Sequence, residues 1–294
     1  MHIPENYLSP STCAVAAAAM LPVWKRAVDT VRKEWAPERL PLLGVGAAFS
    51  FLVMMLNLPL PGGTTGHAVG AALLALLYGP AGACLSVSAA LVVQAVLFGD
   101  GGILAIGANC LTMACIMPWT ANAIHRAIRG TAPSPAREKV AVFLSAYISI
   151  NVAAFAAALL FGIQPALFHD AAGHPLYAPY PLSVAIPAMV IPHMLVAGLV
   201  EGAVTVLVLA YVRRTAPSLL TARAETRDRL PWKPLAGLLG LMVILTPLGL
   251  LAAGTAWGEW GNDELMEMLG YIPTMMEKGF SFSAPLPDYS VPSL

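Results

Sequence analysis

The chain has 294 residues, of which 58% are hydrophobic and only 11% charged, with a mean hydropathy of +0.73 and a formal net charge of zero. A soluble globule carries about 25% charged residues, so this balance excludes an ordinary soluble domain and indicates a polytopic membrane protein. A neutral chain also gives no reason to expect nucleic acid as a partner.

The chain opens with Met1-His2-Ile3-Pro4. A free α-amine, the His2 backbone nitrogen and the His2 imidazole close two fused rings around one cation. Nitrogen donors in a plane suit Ni(II), Cu(II) and low-spin Co(II). His2 is bulky, so Met1 is expected to be retained. Most chains that begin Met-His bind nothing there, so the motif needs support from elsewhere. The positive charges follow the first apolar run, so no cleavable signal peptide is expected.

Apolar runs predict spans at 8–24, 40–57, 67–79, 81–98, 103–125, 140–163, 183–212 and 234–256. The fold expected is all-α: a polytopic membrane helical bundle of about seven core spans plus one C-terminal span. The run 67–79 is short, and Gly79-Pro80 separates it from the next. It reads as a short tilted helix or as half of a re-entrant hairpin. Small residues at helical spacing, Ala14 with Ala18 and Gly44 with Ala48, are expected to let helices pack closely, by preference inside the bundle or else against a partner subunit. Cys13, Cys84, Cys110 and Cys115 all fall in apolar runs with no CxxC pair, and read as buried packing residues.

Charge sets the orientation. Lys25, Arg26, Arg32, Lys33 and Arg39 form one basic group, and Arg126, Arg129, Arg137 and Lys139 a second. Arg213, Arg214, Arg223, Arg227, Arg229 and Lys233 form the third. Alternating eight spans puts all three groups on one face and leaves only Lys278 on the other, so that face is cytoplasmic. The amino terminus, the loops 58–67, 98–102 and 164–182, and the tail then lie outside. Met1 and His2 therefore share a face with Pro61-Gly62-Gly63-Thr64-Thr65-Gly66-His67. Three glycines let another segment approach closely, and His67 would supply a fourth nitrogen. Read by itself, His67 also fits a helix-capping or interfacial role. The turn is no phosphate loop, because GxxxxGK(S/T) is absent.

Three stretches together resemble a known family: Met1-His2-Ile3-Pro4 with Leu8-Ser9-Pro10; Pro61 through His67; and Phe98-Gly99-Asp100-Gly101-Gly102 with Gly107-Ala108-Asn109. The family is the substrate-specific M component (CbiM or NikM) of cobalt and nickel transporters of the energy-coupling-factor class, and the resemblance covers about residues 1–215. It implies a divalent cobalt or nickel ion held near the outer face by nitrogens of Met1, His2 and His67, as cargo with no cofactor. It also implies a transmembrane coupling subunit and two cytoplasmic ATPases as partners, with a small N component in some members. No Walker A sequence is present, so the chain is expected to be a non-catalytic subunit of an ATP-driven uptake system. Cobalt, for cobalamin biosynthesis, is favoured over nickel on the resemblance alone.

Other polar residues have alternative readings. His193 and Glu201 lie in the seventh expected span, where ionisable residues are functional candidates; a structural or coupling role is favoured over metal binding. Asn57, Gln94, Asn109 and Asn151 read as interhelical hydrogen-bond partners. His169 and His174 read as solvated loop residues, and His125 as a neighbour of the basic loop. Residues 216–294 form a cytoplasmic linker, an extra transmembrane helix and an extracytoplasmic acidic tail. A fused N component would usually have two spans where this chain shows one. The acidic tail reads as a cation-attracting segment or, in preference, as an interfacial helix and loop. Two rival classes are weighed. HExxH is absent, which argues against an intramembrane metalloprotease. A self-sufficient secondary metal transporter stays open.

Overall fold

The computed structural model describes residues 1–56, 58–60, 64–217, 232–247 and 257–289. Asn57, Pro61-Gly62-Gly63, Arg223, Arg227, Arg229 and positions 248–256 of the last expected span, all singled out above, lie outside the described residues. Among the described residues, regular structure is helical apart from a short antiparallel hairpin, β1 (Leu58–Leu60) with β2 (Thr64–Gly66), and an isolated bridge between His169 and Pro175.

The segment Leu8-Ser9-Pro10 proves to be a helix start. Ser9 Oγ accepts from the Thr12 amide at 3.1 Å, and Pro10 takes the first position of α1 (Pro10–Glu34), where a missing N–H costs nothing. The 25 residues of α1 rise about 37 Å, so it runs past the expected end at 24 and carries its basic residues on the last turns. α2 (Pro41–Met54) leads towards the hairpin, and α3 (Ala71–Tyr78) follows it. Gly79 breaks α3 from α4 (Pro80–Val93), which continues as a π-helical turn over Gln94–Phe98. α5 (Ile106–Asn109), a π segment over Cys110–Ile116 and α6 (Met117–Arg129) follow without a gap. α7 (Pro135–Gly162) and α8 (Gln164–Leu167) come next. α9 (Leu182–Pro192) joins α10 (Gly198–Thr215) through a π segment at His193–Ala197. α11 (Trp232–Leu245), α12 (Asn262–Leu269) and α13 (Thr274–Lys278) complete the described helices. Pro118 and Pro192 border two of the three π segments, because proline removes an i→i−4 bond and crowds the preceding turn.

Among the described residues, four helical stretches are long and apolar enough to cross a membrane: Pro37–Met54, Pro80–Phe98, Pro135–Leu167 and Leu182–Thr215. The expected spans at 8–24 and 103–125 coincide with long helices that are more polar. The span expected at 67–79 has only eight helical residues, about 12 Å of rise, because residues 67–70 are not helical. α3 is nonetheless enclosed, with Ala71, Ala72, Leu73, Leu74 and Ala75 all buried.

The bundle is packed through small residues and greasy outside. α7 buries Ala146, Ser149, Ala153, Ala154, Ala157 and Ala158, whereas Val15, Leu195, Leu207 and Ile244 are exposed. That distribution suits lipid, where close backbone approach replaces the hydrophobic effect as the packing force. One expectation is corrected. Ala14, Ala18 and Gly44 are exposed, and nothing lies within 4 Å of a Cβ built on Gly44. These small residues face out of the bundle, because helical spacing alone does not say which face is inward.

The two ends differ in chemistry. At one, Glu138 on α7 receives His125 Nε2 at 3.3 Å and Arg129 Nε at 3.0 Å from α6, and Arg213 from α10. At the other end the amino-terminal segment is surrounded by the 98–105 loop, the 168–180 loop and the 257–289 tail.

Candidate metal site

Residues 1–9 form a non-helical segment with a turn at Glu5-Asn6, where Asn6 has φ 62°, and its main chain is tied down largely by side chains of the surrounding protein. The Asn109 side chain clamps Ile3: Oδ1 accepts from the Ile3 amide at 2.8 Å, and Nδ2 donates to the Ile3 carbonyl at 3.1 Å. The Gly102 amide donates to the same carbonyl at 2.9 Å. The Ser9 amide donates to Gln164 Oε1 at 3.0 Å, and the Ala178 amide to the Tyr7 carbonyl at 3.0 Å. The tail adds further ties. Tyr7 Oη donates to the Trp260 carbonyl at 2.7 Å, and Asn6 exchanges two bonds with the Phe280 main chain. Glu5 Oε2 accepts from the Ile103 amide at 2.7 Å; burial pushes the Glu5 carboxyl above its ordinary range, and the loop amides pull it down.

The glycines of the 99–102 loop are a geometric necessity. A Cβ on Gly102 would sit 2.7 Å from Glu5 Cα, a backbone atom that cannot swing away. Asn109 and Gly102 thus make the groove that receives the segment. The sequence reading gave Asn109 an interhelical partner; its partner is the amino-terminal main chain.

This segment carries Met1 and His2 into the protein beside His67. All three are buried, at 4%, 3% and 5% exposure, and the two imidazole centroids are 5.0 Å apart. His67 Nδ1 lies 3.0 Å from the Ala68 carbonyl, which fixes the proton there and leaves Nε2 with a free lone pair. Neither His67 Nε2 nor His2 Nε2 has a hydrogen-bond partner, although both are buried. Two such orphaned nitrogens are a costly arrangement unless a ligand completes it. The α-amino nitrogen of Met1 is 3.3 Å from Glu259 Oε1, and His2 Nδ1 is 3.4 Å from Asp100 Oδ1. The fused chelate rings require Nδ1 of His2, so the imidazole must turn away from Asp100 for that mode. Tyr289 Oη donates to Asp100 Oδ2, which links the tail to this carboxylate.

Among the described residues no group of three or more His, Cys, Asp or Glu side chains converges on a cation-sized space. A cation held here therefore draws on main-chain and terminal nitrogens as well as the two imidazoles. Of the other histidines, buried His193 is near enough to interact electrostatically with His67 and the Met1 amine. His169 and His174 are exposed, and Asp170 accepts from the His174 amide and its Nδ1, which holds the Asp170 carboxyl below its usual range. His193 Nδ1 is satisfied at 2.7 Å by Met189 O of its own helix. Gln94 reaches Asp100 and Tyr289, and Asn151 bonds to Tyr147 O.

A multi-pass helical membrane protein with a buried nitrogen-rich pocket at one end defines the class, and comparison with known proteins supplies the family. Residues 2–219 match the family model CbiM, cobalt uptake substrate-specific transmembrane region, and the chain belongs to this family. It is 49% identical to the probable fused nickel transport protein LarMN of Lactiplantibacillus plantarum, over 100% of this chain and 90% of that relative. It is 46% identical to the fused nickel transport protein NikMN of Rhodobacter capsulatus, over 99% and 88% of the two chains. A putative cobalt transport protein CbiM of Methanocorpusculum labreanum is 30% identical over 75% of this chain and 92% of its own. A crystal structure described as a truncated transition metal transporter, 48% identical, superposes with TM-score 0.68 and covers 73% of this chain and 99% of that one. These relatives are transport proteins rather than enzymes, and their names make the metal ion a cargo.

Proposed function

We propose that this chain is the metal-binding membrane subunit of an ATP-driven uptake system for divalent nickel or cobalt. Membership in a family of nickel and cobalt transport proteins supports the metal-uptake part. The observation that carries the site is the buried, partnerless Nε2 of His67, beside the buried His2 ring and the α-amine of Met1. Ligation there would use the Met1 amine, the His2 backbone and ring nitrogens and His67 Nε2, a donor set suited to Ni(II) and low-spin Co(II).

Cobalt was favoured on family resemblance. The relatives that match along the whole chain, LarMN and NikMN, are named for nickel and tilt the balance that way, whereas the description of the family model points to cobalt. Their fused architecture also supports reading residues 216–294 as the counterpart of a small N component attached to the 1–215 membrane domain. The arrangement favoured is seven core spans plus one, with the amino terminus outside and the basic end in the cytoplasm of the inner membrane. A transmembrane coupling subunit and two ATPases would act from that basic end.

The test is an amino-terminal extension. Residues added before Met1 turn the amine into an amide and move His2 from second position. Metal binding measured by calorimetry should collapse while the amount of membrane-inserted protein stays normal. Unchanged affinity in the extended chain would overturn the site. Competition between Ni(II) and Co(II) in the same experiment decides the cargo.

A further inference from the structure

The segment between the hairpin and α3 is unusual for a membrane interior. Residues 67–70 are neither helix nor strand, yet all four are buried. Main-chain amides there have no water to turn to, so each needs a partner from the protein. Glu201, on the first turn of α10 and 1% exposed, supplies it. Its Oε2 accepts from the Val69 amide at 2.8 Å, and both oxygens accept from the Gly70 amide, at 3.1 and 3.2 Å. The carboxylate also sits at the positive end of the α3 dipole, where a negative group is favoured. From the other side, Ser50 Oγ on α2 donates to the Val69 carbonyl at 2.8 Å. Gly70 turns the chain into α3 at φ 74°, a conformation that glycine adopts without strain.

We infer that Glu201 is a positioning residue for His67: it ties the His67–Gly70 segment to α10 and thereby fixes where His67 Nε2 points. The inference rests on the proposed ligand set and adds a residue that touches neither metal nor ligand side chain. His67 is two residues from the Val69 amide, and its own Nδ1 bond is to Ala68 within the same segment. Losing the carboxylate frees two buried amides at once. The segment then re-forms around other partners, and the ring leaves its place beside His2.

The experiment is a double-mutant cycle on Ni(II) affinity, with the ligand-field spectrum of bound Ni(II) as a second readout. Glu201→Ala should weaken binding about 10- to 100-fold, the range for outer partners of metal ligands. In a His67→Ala background the same substitution should change affinity by no more than about twofold, because its effect passes through a ligand already gone. The spectrum of the Glu201→Ala complex should match that of His67→Ala. Glu201→Gln, which keeps one acceptor, and Ser50→Ala should show the same dependence on His67 with smaller losses, and they carry the test if the alanine chain does not fold. Losses that add in the double variant, with an unchanged spectrum in Glu201→Ala, would mean that Glu201 only stabilises the bundle and would overturn the inference. Normal affinity in His67→Ala itself would overturn the ligand set, and this inference with it.

Discussion

His67 differs from His169 and His174 in being buried, with a second ring nitrogen that has no hydrogen-bond partner. His67→Ala is expected to weaken Ni(II) or Co(II) binding by about 100-fold or more, beyond the usual cost of losing an outer partner. His169→Ala and His174→Ala should change it less than about twofold, since both residues are exposed and bond only locally. Calorimetry on the three chains checks this, and the reverse order would move the site to the 164–182 loop. Asn109→Ala should also weaken binding. It leaves the buried Ile3 amide without an acceptor, at a cost of about 1–3 kcal/mol, while the Ile3 carbonyl keeps the Gly102 amide, so the amino-terminal segment loosens and affinity falls about tenfold. Protons also compete for every proposed donor. A bound cation displaces protons from its nitrogen donors, so affinity should fall as the pH is lowered. Titrations in two buffers of different ionisation heat would count the protons released on binding.

Among the elements, the 99–102 loop most directly shapes the site. Gly102→Ala drives a methyl into the Glu5 backbone, which no rotamer relieves. The expected result is a chain with unchanged helical circular dichroism whose metal affinity falls at least about tenfold; unaffected binding would show that the groove tolerates a displaced segment. The contrast between this loop and α3 explains what the sequence did and did not reveal. Met1, His2 and His67 could be grouped because charge alternation puts all three on one face, and the structure brings them together. Asn109 reads as an interhelical partner because an asparagine in an apolar run normally bonds to another helix, whereas its partner is the Ile3 main chain, 106 positions earlier in a non-helical segment. The role of Glu201 was hidden for a related reason. Apolar residues 67–70 read as helix, where their amides would have been satisfied locally. Only the unwound segment shows donors that need a carboxylate. The outward face of Ala14 and Ala18 was equally hidden, since small residues recur at the same spacing on either side of a helix.

For the molecule as a whole, binding and transport should separate. A four-nitrogen site that holds a cation tightly opposes its release, so the chain alone in liposomes should bind metal without sustained accumulation. Adding the coupling subunit, ATPases and ATP should give uptake. Uphill accumulation by the lone chain under a proton gradient would favour a secondary transporter. The tail is also expected to govern how firmly the amino-terminal segment is seated. A chain ending at residue 217 loses the partners of Met1, Asn6 and Tyr7 contributed by Glu259, Phe280 and Trp260. Amide exchange across residues 2–9 should then speed up about tenfold, while the amides of α7 keep their protection.

The reach of those contacts bears on how the protein is made. The α-amine of Met1 meets a carboxylate 258 positions later, and Asn6 a carbonyl 274 positions later. During synthesis the leading segment emerges first but finds Asn109 only after several helices are inserted, and Glu259 only after a further 150 positions have been made. Contacts this distant in sequence form late and slowly. An arrested nascent chain should therefore insert its early helices normally yet leave its leading residues open to protease. Protection of that segment would mark the moment at which assembly is finished.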